Sequence, residues 1–304
     1  RALPTTGLIR RTSRIQFSLV CRTHTLTGGG AARKVRRTHS RCSERKMTIT
    51  KAVVLARGLG TRMRVHDADE GTLTSAQAAT AARGVKAMIP LADGRPFLDH
   101  ILAALADAGI EAVCLVIGPE HDDIRAAYGG QRRPAVTFAV QTHPVGTANA
   151  VLAAESFVAG DDFLVVNSDN YYPVAVLRAL CRAPAPTLPA FARDGLTRDG
   201  HIPAERIASY ALLDVDPDGT LRRIVEKPDA DTLRAFVDAR VSMNCSSFTP
   251  AIFAACRAVP LSSRGEYELP LAVQFGIEHQ HLRMNTFPVD APVLDLSHRS
   301  DIAR

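Results

Sequence analysis

The chain has 304 residues, of which 46% are hydrophobic and 22% charged, the composition of an ordinary globular protein. Its formal net charge of +6 comes from residues 1–46, which hold twelve Lys or Arg and one acid, whereas the rest holds 25 basic and 30 acidic side chains. No stretch approaches the roughly 20 apolar residues that span a bilayer, which excludes a membrane-spanning protein. The globular part lacks the positive charge typical of nucleic-acid-binding domains, so it is not expected to bind nucleic acid.

Residues 1–46 lack apolar periodicity, and a run of three glycines, 28–30, precedes a basic stretch. This composition predicts a disordered N-terminal extension. A transit-like arm, or a basic arm that binds nucleic acid or anionic lipid, is the alternative. The second region, residues 47–304, is predicted to form one domain, because no Gly/Ser-rich linker interrupts it.

From Lys51 onward, short apolar runs alternate with helical stretches. In chain order the pattern predicts strand 51–56, helix 96–109, strands 111–117 and 136–140, helix 146–157 and strand 162–167. The second half predicts a hairpin of 207–215 and 221–225, helices 231–240 and 266–276, and extended segments 242–248, 283–289 and 293–296. Buried strands that alternate with helices predict a Rossmann-like α/β fold, with a mixed, mostly parallel sheet and helices on both faces.

The six cysteines are far apart and form no CxxC pair, which excludes a zinc-ligand spacing. Cys114 lies inside an apolar run, where a free thiol packs as a small hydrophobic group. These features fit a reducing cytoplasm.

A glycine-rich turn follows the first predicted strand, in the order Leu55-Ala-Arg-Gly58-Leu-Gly60-Thr61-Arg62. Ligands bind beyond the carboxyl ends of parallel strands, and glycines there let backbone N–H groups approach phosphate oxygens. The guanidinium of Arg62 adds a planar donor suited to phosphate. The turn therefore predicts a phosphate-binding site.

Two further residues are candidates for the same crevice. Lys86 follows the glycine turn and could stabilise charge on a phosphoryl group. Asp169 follows the fourth strand and could bind Mg²⁺, which prefers one or two carboxylates plus phosphate oxygens. Alternatively, Lys86 is a solvated surface residue, and Asp169 caps the helix that starts near Pro173.

Later in the chain, the Glu226-Lys227 pair ends a strand before a proline, and Asp295 lies between two apolar residues. An acid–base pair at a strand end is often a surface salt bridge. An acid in an apolar strand, by contrast, is unusual unless it is paired or metal-bound.

Taken together, these motifs resemble those of the sugar-1-phosphate nucleotidylyltransferases. Their order along the chain is GxGTRM, a lysine before an apolar run, QxxPxGTA from Gln141, SDN at a strand end, EKP, GEYE and a late aspartate. The resemblance covers nearly everything from Lys51 to Ile302 and includes thymidylyl-, uridylyl- and guanylyltransferases of sugar 1-phosphates.

The resemblance implies a role for each matching residue. The triphosphate would be held by Gly58, Gly60, Thr61 and Arg62, with Lys86 near the α-phosphate. The base would be read by Gln141, with Gly146 beside the base or ribose. Asp169 and Asp295 would be the magnesium ligands. Glu226 and Lys227 would hold the sugar and its phosphate, and Asn244 would contact the sugar.

Three departures from the family pattern concern the substrate. Arg57 stands where a glycine or alanine is usual, so its side chain is expected to turn outward or to reach a phosphate. The stretch 64–85 is longer than usual and contains Asp67, Asp69, Glu70 and a helix-like run 75–82, which we expect to form a lid or an interface. Ala211 stands where a glycine is common.

The implied reaction joins a nucleoside triphosphate to a sugar 1-phosphate with Mg²⁺ and releases pyrophosphate. The catalytic residues would be Arg62, Lys86 and Asp169. Transfer to another phosphorylated acceptor, such as phosphocholine, is one alternative, and a non-catalytic subunit that senses nucleotide sugars is another. The sequence leaves open whether copies of the chain form a homo-oligomer.

Overall fold

The computed structural model describes residues 49–65, 73–236 and 239–302. The predicted extension, residues 1–46, and the acidic residues Asp67, Asp69 and Glu70 lie outside these ranges. None of the described helices is long and apolar enough to cross a lipid bilayer.

The described strands and helices alternate through the first half of the chain. The strands are β1 (Lys51–Leu55), β2 (Ala112–Ile117), β3 (Ala135–Val140), β4 (Phe163–Asn167), β5 (Asn170–Tyr171), β6 (Thr187–Phe191), β7 (Leu212–Val215), β8 (Leu221–Val225), β9 (Arg240–Val241), β10 (Cys245–Phe248), β11 (Asn285–Val289) and β12 (Leu294–Asp295). The α-helices are α1 (Thr61–Arg64), α2 (Ser75–Arg83), α3 (Phe97–Ala108), α4 (Asp122–Tyr128), α5 (Thr147–Ala153), α6 (Glu155–Val158), α7 (Val174–Arg182), α8 (Arg193–Arg198), α9 (Ala204–Ile207), α10 (Ala230–Ala235), α11 (Ile252–Ala258) and α12 (Leu269–His279). Short 3₁₀ turns span Lys86–Met88 and Arg299–Asp301.

The centre of the sheet is parallel, in the order β3-β2-β1-β4, and β10 then joins β4 in the antiparallel direction. Alternate residues of β1 enter two different cores: Ala52 and Val54 face one, whereas Val53 and Leu55 face the other. Successive side chains of a strand point to opposite faces, so this division shows that the sheet is covered on both faces. The predicted mixed α/β fold is confirmed.

The second half of the sheet is built from distant segments. Strands β9 and β10 both pair with β6, and β9 also pairs with β7. The predicted β7–β8 hairpin is present. Because Ser242 N–H donates to the Ala211 carbonyl at 2.9 Å, the end of this hairpin lies beside the segment that leads to Asn244.

Several predicted elements differ from the structure. Predicted helix 146–157 is two helices, α5 and α6, that meet at Ala154. The start of predicted strand 207–215 is the end of helix α9, and predicted helix 231–240 ends at Ala235, before β9. The helix expected in 75–82 is α2, which begins with a capping box of Thr74 and Gln77.

The glycine turn is held against the backbone at Gly84. Gly60 has a φ of 58°, and a Cβ added there would lie 2.1 Å from the Gly84 carbonyl oxygen. Only a glycine fits this contact, which joins the turn to the segment that carries Lys86.

The variant Gly60→Ala is therefore expected to lower the free energy of unfolding by about 2 kcal/mol or more, since left-handed backbone and steric overlap both oppose a Cβ. Gly58→Ala is the matched control, because no atom lies within 4 Å of a Cβ added there. Thermal denaturation of both variants measures the difference. Equal melting temperatures would show that the turn can move away from Gly84.

Candidate nucleotide-binding and catalytic site

A cavity of about 410 Å³ opens at the carboxyl ends of β1 and β4. It lies where ligands bind in parallel α/β sheets. The predicted site residues that line it are Leu55, Gly58, Gly60, Thr61, Arg62, Lys86, Gln141, Gly146 and Asp169. Chain segments more than 100 residues apart thus contribute to one crevice.

The glycine turn forms one wall of this cavity. Within the described residues, the backbone N–H groups from Gly58 to Arg62 donate no hydrogen bond. Successive backbone N–H groups in such a turn suit an anion, and Arg62 stands beside them on the same wall. This wall can accept the oxygens of a phosphate chain.

Lys86 and Asp169 meet across the cavity. The Lys86 ammonium donates to an Asp169 carboxylate oxygen at 2.9 Å, and their side chains are only 16% and 26% exposed. Lys86 opens the 3₁₀ turn after Gly84, whereas Asp169 follows β4, so the fold brings together groups that are 83 residues apart. The cavity therefore contains a lysine–aspartate ion pair that a charged substrate can separate.

Gln141 and Gly146 lie on the side of the cavity formed by the end of β3. Gln141 Nε2 donates to the Gly146 carbonyl at 2.9 Å and to Asn149 Oδ1 at 3.0 Å. Gly146 has a φ of 116°, and a Cβ added there would lie 2.4 Å from the Tyr267 carbonyl oxygen. These contacts fix both residues before any ligand binds.

Asp295 comes close to Asp169 through the backbone. Strands β12 and β5 pair antiparallel with Asp295 opposite Asn170, and Leu296 N–H donates to the Asp169 carbonyl at 2.8 Å. Asp295 in β12 therefore lies beside the turn that carries Asp169, although the two predicted acids are distant in sequence.

The Asp295 carboxylate itself does not line the cavity. It accepts hydrogen bonds from the Tyr210 hydroxyl at 2.7 Å, from the Ser297 hydroxyl at 2.8 Å, from Asn170 Nδ2 at 3.2 Å and from Arg206 Nη1 at 3.3 Å. This side chain is 6% exposed. Its charge is compensated by Arg206 in the structure as it stands.

The donor set suits a divalent cation at Asp169 better than at Asp295. Asp169 faces the cavity beside the phosphate-binding wall, and Mg²⁺ takes one or two carboxylates together with substrate phosphates. Asp295 would have to exchange hydrogen bonds to join it. Among the described residues, no group of three or more His, Cys, Asp or Glu is arranged as a metal site.

The predicted sugar-binding residues lie outside the main cavity. Asn244 lines a smaller cavity of about 30 Å³ together with Ser242 and Ser246. Glu226 follows β8, and Lys227 is exposed with a φ of 46°. Burial, with a smaller effect of Glu268, raises the pKa of Glu226 to about 7.

This raised pKa predicts a pH-dependent stability. The folded Glu226 carboxyl holds its proton more tightly than the unfolded one, whose pKa is near 4.5, so its contribution is full below pH 4.5 and is lost as the pH rises through 7. Glu226→Gln cannot ionise, and its free energy of unfolding should gain up to about 3 kcal/mol relative to wild type between pH 4.5 and pH 8.

Melting temperatures across this pH range, with Glu111→Gln as a control at an exposed glutamate, measure the effect. Parallel profiles for the wild type and Glu226→Gln would contradict it.

Four ionisable residues of the cavity were not among the predicted site residues: Arg57, His121, Arg264 and Glu266. His121 lies four residues after β2. Because ligands bind beyond the carboxyl ends of parallel strands, its position in the sequence could have identified it as a site residue. Burial lowers the pKa of His121, and its Nδ1 accepts from the Gly118 N–H at 3.2 Å, so it faces the cavity as a neutral ring. Glu266 lies in the GEYE motif, so the family resemblance could have identified it, whereas Arg264 precedes that motif in a loop with no such signal.

The side chain of Arg57 does not turn outward. Its side chain is 7% exposed, and Nη2 lies 3.4 Å from Glu120 Oε2 and 3.3 Å from the Thr142 carbonyl oxygen. The guanidinium therefore spans the ends of β2 and β3. The expectation of an outward side chain is corrected by this burial.

Comparisons with known proteins agree with this geometry. Residues 51–287 match the family model described as nucleotidyl transferase. A glucose-1-phosphate thymidylyltransferase of Streptomyces antibioticus is 32% identical over 75% of this chain and 58% of its own length. A UTP–glucose-1-phosphate uridylyltransferase of Haloferax volcanii is 27% identical over 82% of this chain and 92% of its own length.

The fold is likewise that of a solved structure. A crystal structure of UDP-glucose pyrophosphorylase complexed with UDP-glucose superposes with a TM-score of 0.64 at 16% identity, over 84% of this chain and 96% of the other. The chain spans a little over half the length of the Streptomyces antibioticus relative. On the match of residues 51–287, the chain belongs to the nucleotidyl transferase family.

Proposed function

We propose that the chain transfers a nucleoside monophosphate from a nucleoside triphosphate to a sugar 1-phosphate and releases pyrophosphate. The observation that carries this proposal is the cavity in which the glycine turn, Arg62, Lys86 and Asp169 converge. The activities of the thymidylyl- and uridylyltransferase relatives support the same reaction.

In this reaction the anionic oxygen of the sugar phosphate attacks the α-phosphorus, a new P–O bond forms, and the bond to the pyrophosphate leaving group breaks. No protein nucleophile is required. Catalysis then consists of positioning and of neutralising charge on the phosphate oxygens. The glycine turn would hold the triphosphate, and Arg62 and Lys86 would stabilise charge at the phosphates.

A divalent cation, proposed as Mg²⁺, would be held by Asp169 and Asp295 and would neutralise phosphate oxygens. Lys86 must leave Asp169 for this arrangement, and an incoming phosphate gives its ammonium a new partner. For Asp295, the rearrangement would involve Tyr210, Ser297 and Arg206, which now bind its carboxylate.

The acceptor side of the site is proposed to be the region of Glu226, Lys227 and Asn244. Glu226 follows β8 and Asn244 follows β9, and these two strands pair with opposite sides of β7. A glutamate with a pKa of about 7 can accept a hydrogen bond from a sugar hydroxyl or donate one to it. Lys227 supplies a positive charge for the sugar phosphate.

We further propose that residues 47–304 form the transferase domain and that the protein works in the cytoplasm. The four described cysteines are all buried and unpaired, as expected where thiols stay reduced.

A matrix of nucleoside triphosphates against sugar 1-phosphates, with phosphocholine as a further acceptor, tests the function by pyrophosphate release. We expect release that requires both a sugar 1-phosphate and a divalent cation. Pyrophosphate release with phosphocholine but with no sugar 1-phosphate would show that the acceptor is not a sugar phosphate. No release with any combination, although triphosphate still binds, would favour a sensing subunit.

A further inference from the structure

Arg57 carries two buried nitrogen atoms without a partner. Nη2 contacts Glu120 and the Thr142 carbonyl, whereas Nε and Nη1 form no hydrogen bond within the described residues. Buried donors are normally satisfied, and an unpaired one is costly. Both atoms are almost fully covered, so a ligand in the cavity that Arg57 lines would meet them after a small shift of the side chain, and an acceptor atom there would then supply the missing interaction.

The position of Arg57 shows which part of a nucleotide would meet it. Its contacts reach the ends of β2 and β3, where Gln141 also lies, whereas Asp169 follows β4 on the opposite side of β1. This step rests on the proposed function, in which the reacting phosphate lies at Lys86 and Asp169. The remote part of the nucleotide, its base, then extends toward Arg57 and Gln141.

Gln141 offers the base an acceptor. Its Nε2 is used by the Gly146 carbonyl and by Asn149, and a carbonyl can only accept, so the orientation of the amide is fixed. Oε1 makes no hydrogen bond within the described residues. A base between these two side chains must present an acceptor to Arg57 and an N–H group to Gln141.

We propose that Arg57 donates to a carbonyl oxygen of the base and thereby sets the choice of nucleotide. Uracil, thymine and guanine place a ring N–H next to a carbonyl, which matches Gln141 and Arg57. Cytosine and adenine place an unprotonated ring nitrogen next to an amino group. The ring nitrogen would then face Gln141 Oε1, which is also an acceptor, and the amino group would face Arg57, which is also a donor. The substrate is then a triphosphate with a keto base.

Equilibrium binding of triphosphates without sugar phosphate tests this assignment. UTP and CTP differ only in this edge of the ring, and so do ITP and ATP. Wild type should bind the keto member of each pair at least about tenfold more tightly, and Arg57→Ala should reduce that ratio about tenfold by weakening the keto member. Arg83→Ala is the control. Arg83 also forms an ion pair at 3.4 Å, with Asp123, but it lies outside the cavity, so its loss should leave the binding ratio unchanged.

Arg57→Lys retains the positive charge beside Glu120 and should lose part of the preference, which keeps the test available if the alanine variant folds poorly. An unchanged ratio in both variants, or tighter binding of the amino members by wild type, would overturn the assignment. An Arg57-dependent preference without pyrophosphate release would contradict the transfer reaction and leave the base assignment standing.

Discussion

The variant Asp169→Asn is expected to lower kcat/KM about 1000-fold while the protein stays folded. The carboxylate faces the cavity beside the phosphate-binding turn, and in the proposed reaction it holds the divalent cation. Asparagine has nearly the same shape as aspartate but no charge. The reduced kcat/KM would therefore come from weaker cation binding and from the loss of the negative charge beside Lys86. Steady-state pyrophosphate release at varied Mg²⁺ measures it.

Asp161→Asn is the matched control. Asp161 also pairs with a lysine, Lys51, at 2.7 Å, but this pair lies at the opposite end of β1 from the cavity. Its loss should leave kcat/KM unchanged. Wild-type activity in Asp169→Asn would show that this residue does not hold the cation, whereas a large fall in melting temperature would show that its role is structural.

Much of the parallel half of the fold follows from local chemistry. Continuous apolar runs gave β1, β2 and β4 within a residue or two, because strands buried on both faces need no polar alternation. Helix α3 could be predicted at both ends, since Pro96 precedes it and Gly109 ends it in a left-handed conformation.

The antiparallel half depends on contacts that no local pattern encodes. Strand β6 contains Pro189, which argues against a strand, yet it is held by β11 on one side and by β9 and β10 on the other. Helix α9 has only four residues, too few for a 3.6-residue period, so its last residue, Ile207, was assigned to a strand.

The candidate site also contains residues that could be predicted from the sequence and contacts that could not. Lys86 and Asp169 were predicted from their positions after a turn and a strand, and Gln141 from the family resemblance, and the structure brings all three to one cavity. The partners of Asp295 could not be predicted, because Arg206 comes from the unpredicted helix α9 and meets the carboxylate only through tertiary packing. The roles of these residues stay predictions.

The second large effect is expected at Lys86. Lys86→Met should lower kcat about 100-fold or more and change the melting temperature little, because the long apolar stem is preserved and only the ammonium is lost. That ammonium pairs with Asp169 in the structure and is proposed to move to the substrate phosphates. Its interaction with Asp169 adds little to folding, since both groups remain partly exposed.

Single-turnover rates and melting temperatures, measured together, separate catalysis from stability for this variant. Lys51→Met is the control, because it removes a similar lysine–aspartate pair at the other end of β1 and should spare the rate. Lys86→Met leaves Asp169 without its cationic partner, so its apparent affinity for Mg²⁺ should rise even as turnover falls. A lysine that serves only the fold would instead lose rate and stability in proportion, with Mg²⁺ affinity unchanged.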